Sequence, residues 1–367
     1  MWAPYFQIRE EFWDRVIAKS SNYSLYGEMS RRFHTLVSYY ASHQEMYSID
    51  ESFLDFTENP HPLSTATQIY ARCKRDLWLP VCVGLGATKT RAKLANMLAK
   101  KRNEYRGRCH IEEIPKLECE NILRSYDVGE VWGIGRNHRE HLARLGIHTV
   151  YDLSLSDPLV LRKEFSIVME KTVRELQGES CLEIEEIPTD RKMIMTSRSF
   201  GEMVQTKAHL REALTYFTTR WAEKLRAQSS EACAITVFLR SNKHRHDLAQ
   251  YSNSTTVTFL DPTDDTGVFI RWALEGLDAI YREGISYKKA WVLIHQIEPK
   301  DGQLVLRMIP QDEKRKSLMH TLDAINRKYG KSKLFFAAQW VNQHWKMLAE
   351  RRSPLYLHRW SDVPWAS

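Results

Sequence analysis

The amino-acid sequence predicts a multidomain α+β protein, and three observations lead there. At about 150 residues per domain, 367 residues are enough for two or three domains. Up to Lys101 the apolar spacing switches between strand and helix periods, and from Pro115 to about Glu185 it is wholly helical. From Met193 onward strands and helices alternate again in the order β-α-β-β-α-β.

The elements follow in order. Ser30 to Tyr40 reads as a helix with Phe33, Leu36, Val37 and Tyr40 on one stripe. Glu45 to Phe56 has strand-like spacing on both sides of the acidic pair Asp50-Glu51, which predicts a β-hairpin with carboxylates at its bend, and Asn59-Pro60 marks the next turn. Ser64 to Leu77 suits a helix, Leu79 to Gly86 a buried strand, and Lys89 to Lys101 a second helix. Gly133, Gly135 and Gly146 punctuate the helical stretch, Pro158 opens a further helix, and the acidic segment around Pro188 reads as a linker. Beyond it the expected strands are Met193 to Phe200, Ala234 to Leu239, Ser254 to Phe259 and Ala290 to Ile297, separated by helices Thr206 to Gln228 and Thr266 to Arg282. A helix ending near Lys328 and an aromatic tail from Phe335 to Trp365 close the chain.

Composition narrows the class. Hydrophobic residues at 43% and charged residues at 27% exclude a mainly disordered or fibrous chain. No window approaches the roughly 20 apolar residues of a membrane span, and the first residues lack the blocks of a signal peptide, so a soluble intracellular protein with no membrane partner is expected. Fifty-three basic against 46 acidic residues leave a net charge of +7, compatible with a polyanion partner without establishing one. The six cysteines show none of the close spacing of a zinc or redox motif and read as reduced thiols.

Three segments carry candidate chemistry. Adjacent strand residues point to opposite faces, so Asp50 and Glu51 can hold one ion only where the backbone bends, as a hairpin does. Clustered carboxylates with oxygen donors suit Mg²⁺, although a solvated turn also accommodates an Asp-Glu dipeptide. The run from Gly84 to Asn96 passes through glycines into a helix start bearing Lys89, Arg91 and Lys93, a setting that favours phosphate; a tight turn before a solvated basic face is the alternative. It is not a Walker A loop, because the spacing to the lysine is wrong. Val131-Trp132-Gly133-Ile134-Gly135-Arg136 before the helix Asn137 to Leu145 has a helix-hairpin-helix pattern, whose glycines let backbone amides approach a DNA phosphate; a structural αα-hairpin remains the alternative. His244-Arg245-His246 lacks companion ligands for a metal and is assigned to solvent or phosphate. The acidic pair also raises a phosphodiesterase reading, which no further carboxylate or histidine cluster supports.

In this order the segments resemble the Y-family DNA polymerases, and within them the UmuC-like catalytic subunits of polymerase V. The resemblance rests on Ser20-Ser21-Asn22-Tyr23, Tyr47-Ser48-Ile49-Asp50-Glu51, Thr88-Lys89, Ala92-Lys93-Leu94-Ala95-Asn96, Val131 to Gly135, Arg174-Glu175-Leu176, Ser197 to Glu202 and, in the tail, Trp345, Ser353-Pro354 and Arg359. It covers nearly the whole chain. It implies template-directed nucleotidyl transfer across damaged DNA on a remnant of fingers (1–19), an incomplete palm (20–114), a helical thumb (115–185), a linker (186–192), a little finger (193–299) and a partner-binding extension (300–367). Asp50 and Glu51 would hold two catalytic Mg²⁺ ions, Lys93 would reach the triphosphate of the incoming dNTP, Gly133, Gly135 and Arg136 would meet backbone phosphates, and Arg198 and Ser199 would lie along primer-template DNA. Eleven basic against six acidic residues between 190 and 260 accord with that last role. The resemblance further implies a UmuD-like accessory dimer on the extension, activation by a RecA filament and a cytoplasmic, nucleoid-associated location.

Two departures set further expectations. Family members carry D-x-N-x-F-Y-A-S-C-E and N-N-D-G-C-V-I-A-R segments that this sequence does not contain, and with them a first metal-binding Asp, an aromatic gate against ribonucleotides, and a Tyr and an Arg around the triphosphate. A weakened two-metal site and impaired synthesis are therefore expected, with a catalytically inactive damaged-DNA-binding homologue as the alternative. At Gln303-Leu304-Val305-Leu306-Arg307 an arginine stands where relatives end a sliding-clamp peptide in an aromatic residue, an expected loss of about 1–2 kcal/mol in docking; an ordinary exposed strand is the equal alternative.

Overall fold

The computed structural model describes residues 5–12, 15–186, 190–300, 312–330, 332–339, 345–346, 349–354, 356–357 and 360–363. The Gln303 to Arg307 clamp peptide, Trp340, Trp365 and part of the 186–192 linker lie outside them. The chain forms two compact units, Met1–Pro188 with Arg352–Ser367, and Thr189–Arg351.

The N-terminal unit opens with α1 (Tyr5–Phe12) and α2 (Tyr23–Ser38), the latter capped by Asn22, whose side chain accepts from the Leu25 amide. β1 (Gln44–Met46) pairs antiparallel with β2 (Ser52–Leu54), and α3 (Pro62–Leu77) packs on α2 through Leu36, Val37, Ile69 and Cys73. β3 (Val83–Leu85) leads into α4 (Lys89–Lys101) and pairs in parallel with β4 (Arg108–His110). Five short helices follow: α5 (Lys116–Ser125), α6 (Arg136–Arg144), α7 (Val150–Ser154), α8 (Pro158–Glu164) and α9 (Ile167–Leu176). Their core residues Leu142, Leu153 and Val173 join Leu94 and Leu98 of α4 in one apolar cluster, so the helical segment is continuous with the core under α4.

Sequence reasoning located α4 to the residue and missed β4, where only Cys109 of three residues is buried and no alternation is visible. The glycines before α4 serve packing rather than a turn. A Cβ on Gly84 would lie 2.1 Å from the Asn96 amide nitrogen and 2.3 Å from the Ala92 carbonyl oxygen, so strand and helix approach backbone to backbone.

The C-terminal unit is β5 (Ile194–Val204), α10 (Lys207–Ala227), β6 (Ser230–Ser241), β7 (Ser252–Thr263), α11 (Thr266–Ile280) and β8 (Tyr287–Pro299), the β-α-β-β-α-β order expected. The sheet order is β5-β8-β6-β7, all antiparallel. Trp221, Phe217 and Phe269 of the two helices fill its core against Ile235, Val237 and Val292. α12 (Glu313–Tyr329) docks through a fork from Arg226 to Asp323, at 2.6 and 2.8 Å, and through Arg315 to Asp265 at 2.6 Å. Trp345, 2% exposed, packs against Phe200, Tyr216 and Phe217, which makes part of the aromatic tail core. All six cysteines are free, and burial pushes the thiols of Cys73 and Cys109 up to about 11 and about 12.

Candidate functional site

The β1–β2 hairpin places the acidic pair at its bend. The Ser48 amide donates to the Glu51 carbonyl at 3.1 Å and the Ser48 hydroxyl to Asp50 Oδ1 at 2.7 Å, while the Ser48 carbonyl meets His34 Nε2 at 3.0 Å. Asp50 is exposed and Glu51 half-buried, and both line a cavity of about 1210 Å³ whose wall also includes Lys89, Lys93, Lys100 and Glu112. Lys93 donates to Glu51 Oε1 at 2.5 Å and stands over the rings of Tyr47 and Trp132, 5.0 and 5.9 Å from their centroids. Lys100, nearly two turns further along α4, is exposed and has no carboxylate partner among the described residues. Sequence reasoning chose Lys93 from its motif and named no functional role for Lys100, whose place on the cavity wall no window along the chain displays.

The basic start of α4 is not an open phosphate cradle. Lys89 is buried and paired with Glu45, and it also donates to the Glu183 carbonyl at 2.5 Å. Arg91 pairs with Glu112 at 2.8 Å. The amides that a phosphate needs are occupied by carboxylates: Ala87 donates to Glu112 at 2.8 Å and Thr90 to Glu175 at 2.9 Å. Glu175 is fully buried and accepts from the Cys181 and Leu182 amides as well, so its charge is compensated by three N–H donors. The partly exposed Glu112 and the buried Glu175 thus fill amides at the approach to α4, against the phosphate reading, and the burial of Lys89 goes against the solvated-face alternative.

Gly133 has φ +87°, a left-handed backbone that requires glycine. Gly135 caps α6 with φ −85°, and neither glycine has an atom within 4 Å of where a Cβ would sit. Among the described residues the amides of Gly133 and Gly135 carry no hydrogen-bond partner. Arg136 is exposed and pairs with Glu140 at 2.9 Å. The nearby Asp127 accepts from the Gly129 amide, which with Arg139 holds its carboxyl below the usual range.

In the C-terminal unit Arg198 and Ser199 are exposed on the edge strand β5, on opposite faces of the sheet. Arg198 lies opposite buried Ala290, on the helix side, and Ser199 opposite Lys289, on the open side. That open face also carries Phe238 stacked on Trp291 at 4.8 Å, with Lys289 5.1 Å from the Trp291 centroid. The buried neighbours Ala290 and Val292 were the period-two signal that Trp291 faces outward.

The donor set fits a hard divalent cation. Mg²⁺ is commonly held by one or two carboxylates together with substrate phosphates, and Asp50 and Glu51 offer such oxygens on one cavity wall. Among the described residues no group of three or more His, Cys, Asp or Glu side chains is placed to hold a metal.

The fold is that of a Y-family polymerase: over 76% of this chain and 78% of the other it superposes, with a TM-score of 0.56 and 20% identity, on the solved structure titled "Y-family DNA polymerase chimera Dbh-Dpo4(243-245)-Dbh". The model of the impB/mucB/samB family matches residues 2–97, that of the family's C-terminal domain residues 191–306, and a domain of unknown function residues 316–366. Protein MucB of Salmonella typhimurium is 38% identical over 99% of this chain and 87% of its own length, and Protein UmuC of Salmonella typhimurium strain LT2 is 38% identical over 98% and 86%. DNA polymerase IV 1 of Bacillus subtilis strain 168 is 30% identical over 51% of the chain. The chain belongs to the impB/mucB/samB family, the UmuC-like Y-family DNA polymerases. Among the described residues no helix is long and apolar enough to cross a membrane.

Proposed function

We propose that this protein carries out template-directed DNA synthesis across damaged templates, with Asp50 and Glu51 as its metal-holding carboxylates. The observation that supports this best is the placement of both carboxylates at a hairpin bend on the wall of a large cavity shared with Lys100. Two Mg²⁺ ions, when bound, would activate the primer 3′-hydroxyl and neutralise charge on the triphosphate. Lys93 fixes one oxygen of Glu51 and leaves the other for a cation. Lys93 and Lys100 share that cavity wall; Lys93 would act through Glu51 as well as toward the triphosphate, and Lys100, with no carboxylate partner among the described residues, adds a second cation for the dNTP phosphates. The unpartnered amides of Gly133 and Gly135, with Arg136, hold backbone phosphates of the primer-template. Arg198, Ser199 and the open sheet face add contacts that carry little sequence preference, which suits a distorted template. A UmuD-like dimer is the proposed partner of the extension, a RecA filament the proposed activator of the complex, and a sliding clamp a weak partner.

A second reading is a damaged-DNA-binding protein without catalysis, for which the open glycine loop with its unpartnered amides would suffice. Primer extension on intact and abasic templates with Mg²⁺ separates them. Measurable incorporation that falls more than about 100-fold in Asp50→Ala/Glu51→Ala supports the polymerase. Incorporation unchanged by that double substitution overturns the assignment.

A further inference from the structure

Trp132 belongs to the glycine hairpin by sequence and to the carboxylate hairpin by contact. Its indole N–H donates to the Tyr47 hydroxyl at 3.0 Å. Its ring meets Tyr47 edge-on at 5.4 Å with an 88° interplanar angle, and Phe53 at 5.7 Å. Tyr47 and Phe53 lie on either side of the Asp50-Glu51 bend, and their rings are themselves 5.7 Å apart. The Lys93 ammonium, bound to Glu51, stands beside the pair, 5.0 and 5.9 Å from the Tyr47 and Trp132 centroids.

An ammonium over two electron-rich faces is attracted to both, so the rings fix where Lys93 stands and, through it, which way the Glu51 carboxylate is turned. Trp132 is also covalently the residue before Gly133, whose left-handed backbone and free amide make it the part of the loop a phosphate would immobilise. The geometry points to Trp132 as a positioning residue that couples duplex engagement at Gly133 and Gly135 to the orientation of Glu51. A phosphate on the loop removes freedom from Trp132; Trp132 holds Tyr47 by its N–H; the pair holds Lys93; and Lys93 presents the second oxygen of Glu51 to a cation. Two sites linked in this way must show reciprocal coupling, with duplex tightening the cation and cation tightening the duplex. Trp132 would act on both ligands through its neighbours. This inference rests on the proposed roles of the carboxylates and the glycine loop.

The test uses Mn²⁺ as the probe, its binding followed by electron paramagnetic resonance on the full chain with and without a primer-template duplex, while duplex affinity without metal is read by fluorescence anisotropy. Asp50→Ala/Glu51→Ala supplies the background for Mn²⁺ held elsewhere. In the parent chain duplex should raise Mn²⁺ affinity at least threefold. Trp132→Phe keeps a ring and loses the N–H, and Tyr47→Phe loses the hydroxyl; each should bring that factor below twofold, the double variant no further, with duplex affinity in metal-free buffer changed less than twofold. Near-ultraviolet circular dichroism checks that each variant is folded. Coupling that survives both Phe variants, a loss confined to duplex affinity, or a parent chain with no coupling overturns the inference. Mn²⁺ binding in Asp50→Ala/Glu51→Ala equal to the parent overturns the carboxylate assignment itself, a result distinct from the others.

Discussion

At the residue scale, two glycines of similar appearance in the sequence have opposite structural demands. Gly84 has backbone atoms of α4 at 2.1 and 2.3 Å from a would-be Cβ, and neither side can yield, because both are main chain. Gly135 has open space and an ordinary φ. Gly84→Ala is expected to destabilise the N-terminal unit by about 3 kcal/mol, the upper end for overpacking, whereas Gly135→Ala should leave urea stability within about 0.5 kcal/mol and weaken duplex binding by crowding the loop amides. Equal stability loss in both would refute this account of the close approach. His43 offers a pH readout. Its ring meets Glu186 Oε1 at 2.5 Å, and that hydrogen bond, with the charges of Glu186, Asp55 and Glu58, raises its pKa above the ordinary histidine value. A raised histidine stabilises the contact below its unfolded pKa and ceases to as pH climbs through the folded one. Titration of the His43 ring by NMR should show a raised midpoint that falls toward the ordinary value in Glu186→Gln, where Asp55 and Glu58 remain; an unmoved midpoint would mean that the pair does not form in solution.

At the element scale, what the sequence revealed depended on how local its cause is. α4 was legible to the residue because Thr88 caps it, accepting from the Arg91 amide, and Leu94, Ala95 and Leu98 repeat at helical spacing. The bend at Asp50 and the β-α-β-β-α-β order were legible for the same reason, as period changes and turn residues lie within a few positions of the elements they shape. The filling of the Ala87 and Thr90 amides by Glu112 and Glu175, the cavity position of Lys100, and the Tyr47 to Trp132 contact join residues tens of positions apart, and no window along the chain displays them. The docking of α12 is another such case. Arg226 is buried among α10 neighbours and forks onto Asp323 while donating to the Asp264 carbonyl and the Thr266 hydroxyl, both at 2.8 Å. Its planar donors match that set, and a lysine would not. Arg226→Met should therefore cost about 3 kcal/mol, since it strands a partly buried Asp323, and should open 313–329 to protease. If that helix stayed as resistant as in the parent, the fork would not be what fastens it.

At the scale of the whole molecule, the chain passes between its two units twice, near Pro188 and again near Arg351. The second passage brings the end of the segment matched as a domain of unknown function back to the unit that holds the carboxylates. Arg352 forms a bridge with Ser20, and Asn22, 4% exposed, donates its side-chain amide to the Ser353 carbonyl at 3.1 Å and to the Ser353 hydroxyl at 3.0 Å. The same side chain caps α2 with its oxygen, so one residue serves helix and tail by different atoms. That division can be separated by substitution. Asn22→Asp keeps an oxygen to accept from the Leu25 amide and replaces the donor with a charged acceptor facing the Ser353 carbonyl, an opposition of about 1–3 kcal/mol. Asn22→Ala removes both functions and adds the loss of a cap, about 1 kcal/mol. Hydrogen exchange followed by mass spectrometry should show faster exchange around Ser353 in both variants, and faster exchange in the first turn of α2 only in Asn22→Ala. Protection around Ser353 that persists in Asn22→Asp would mean that the tail is held by other contacts, and that Asn22 is a helix cap alone.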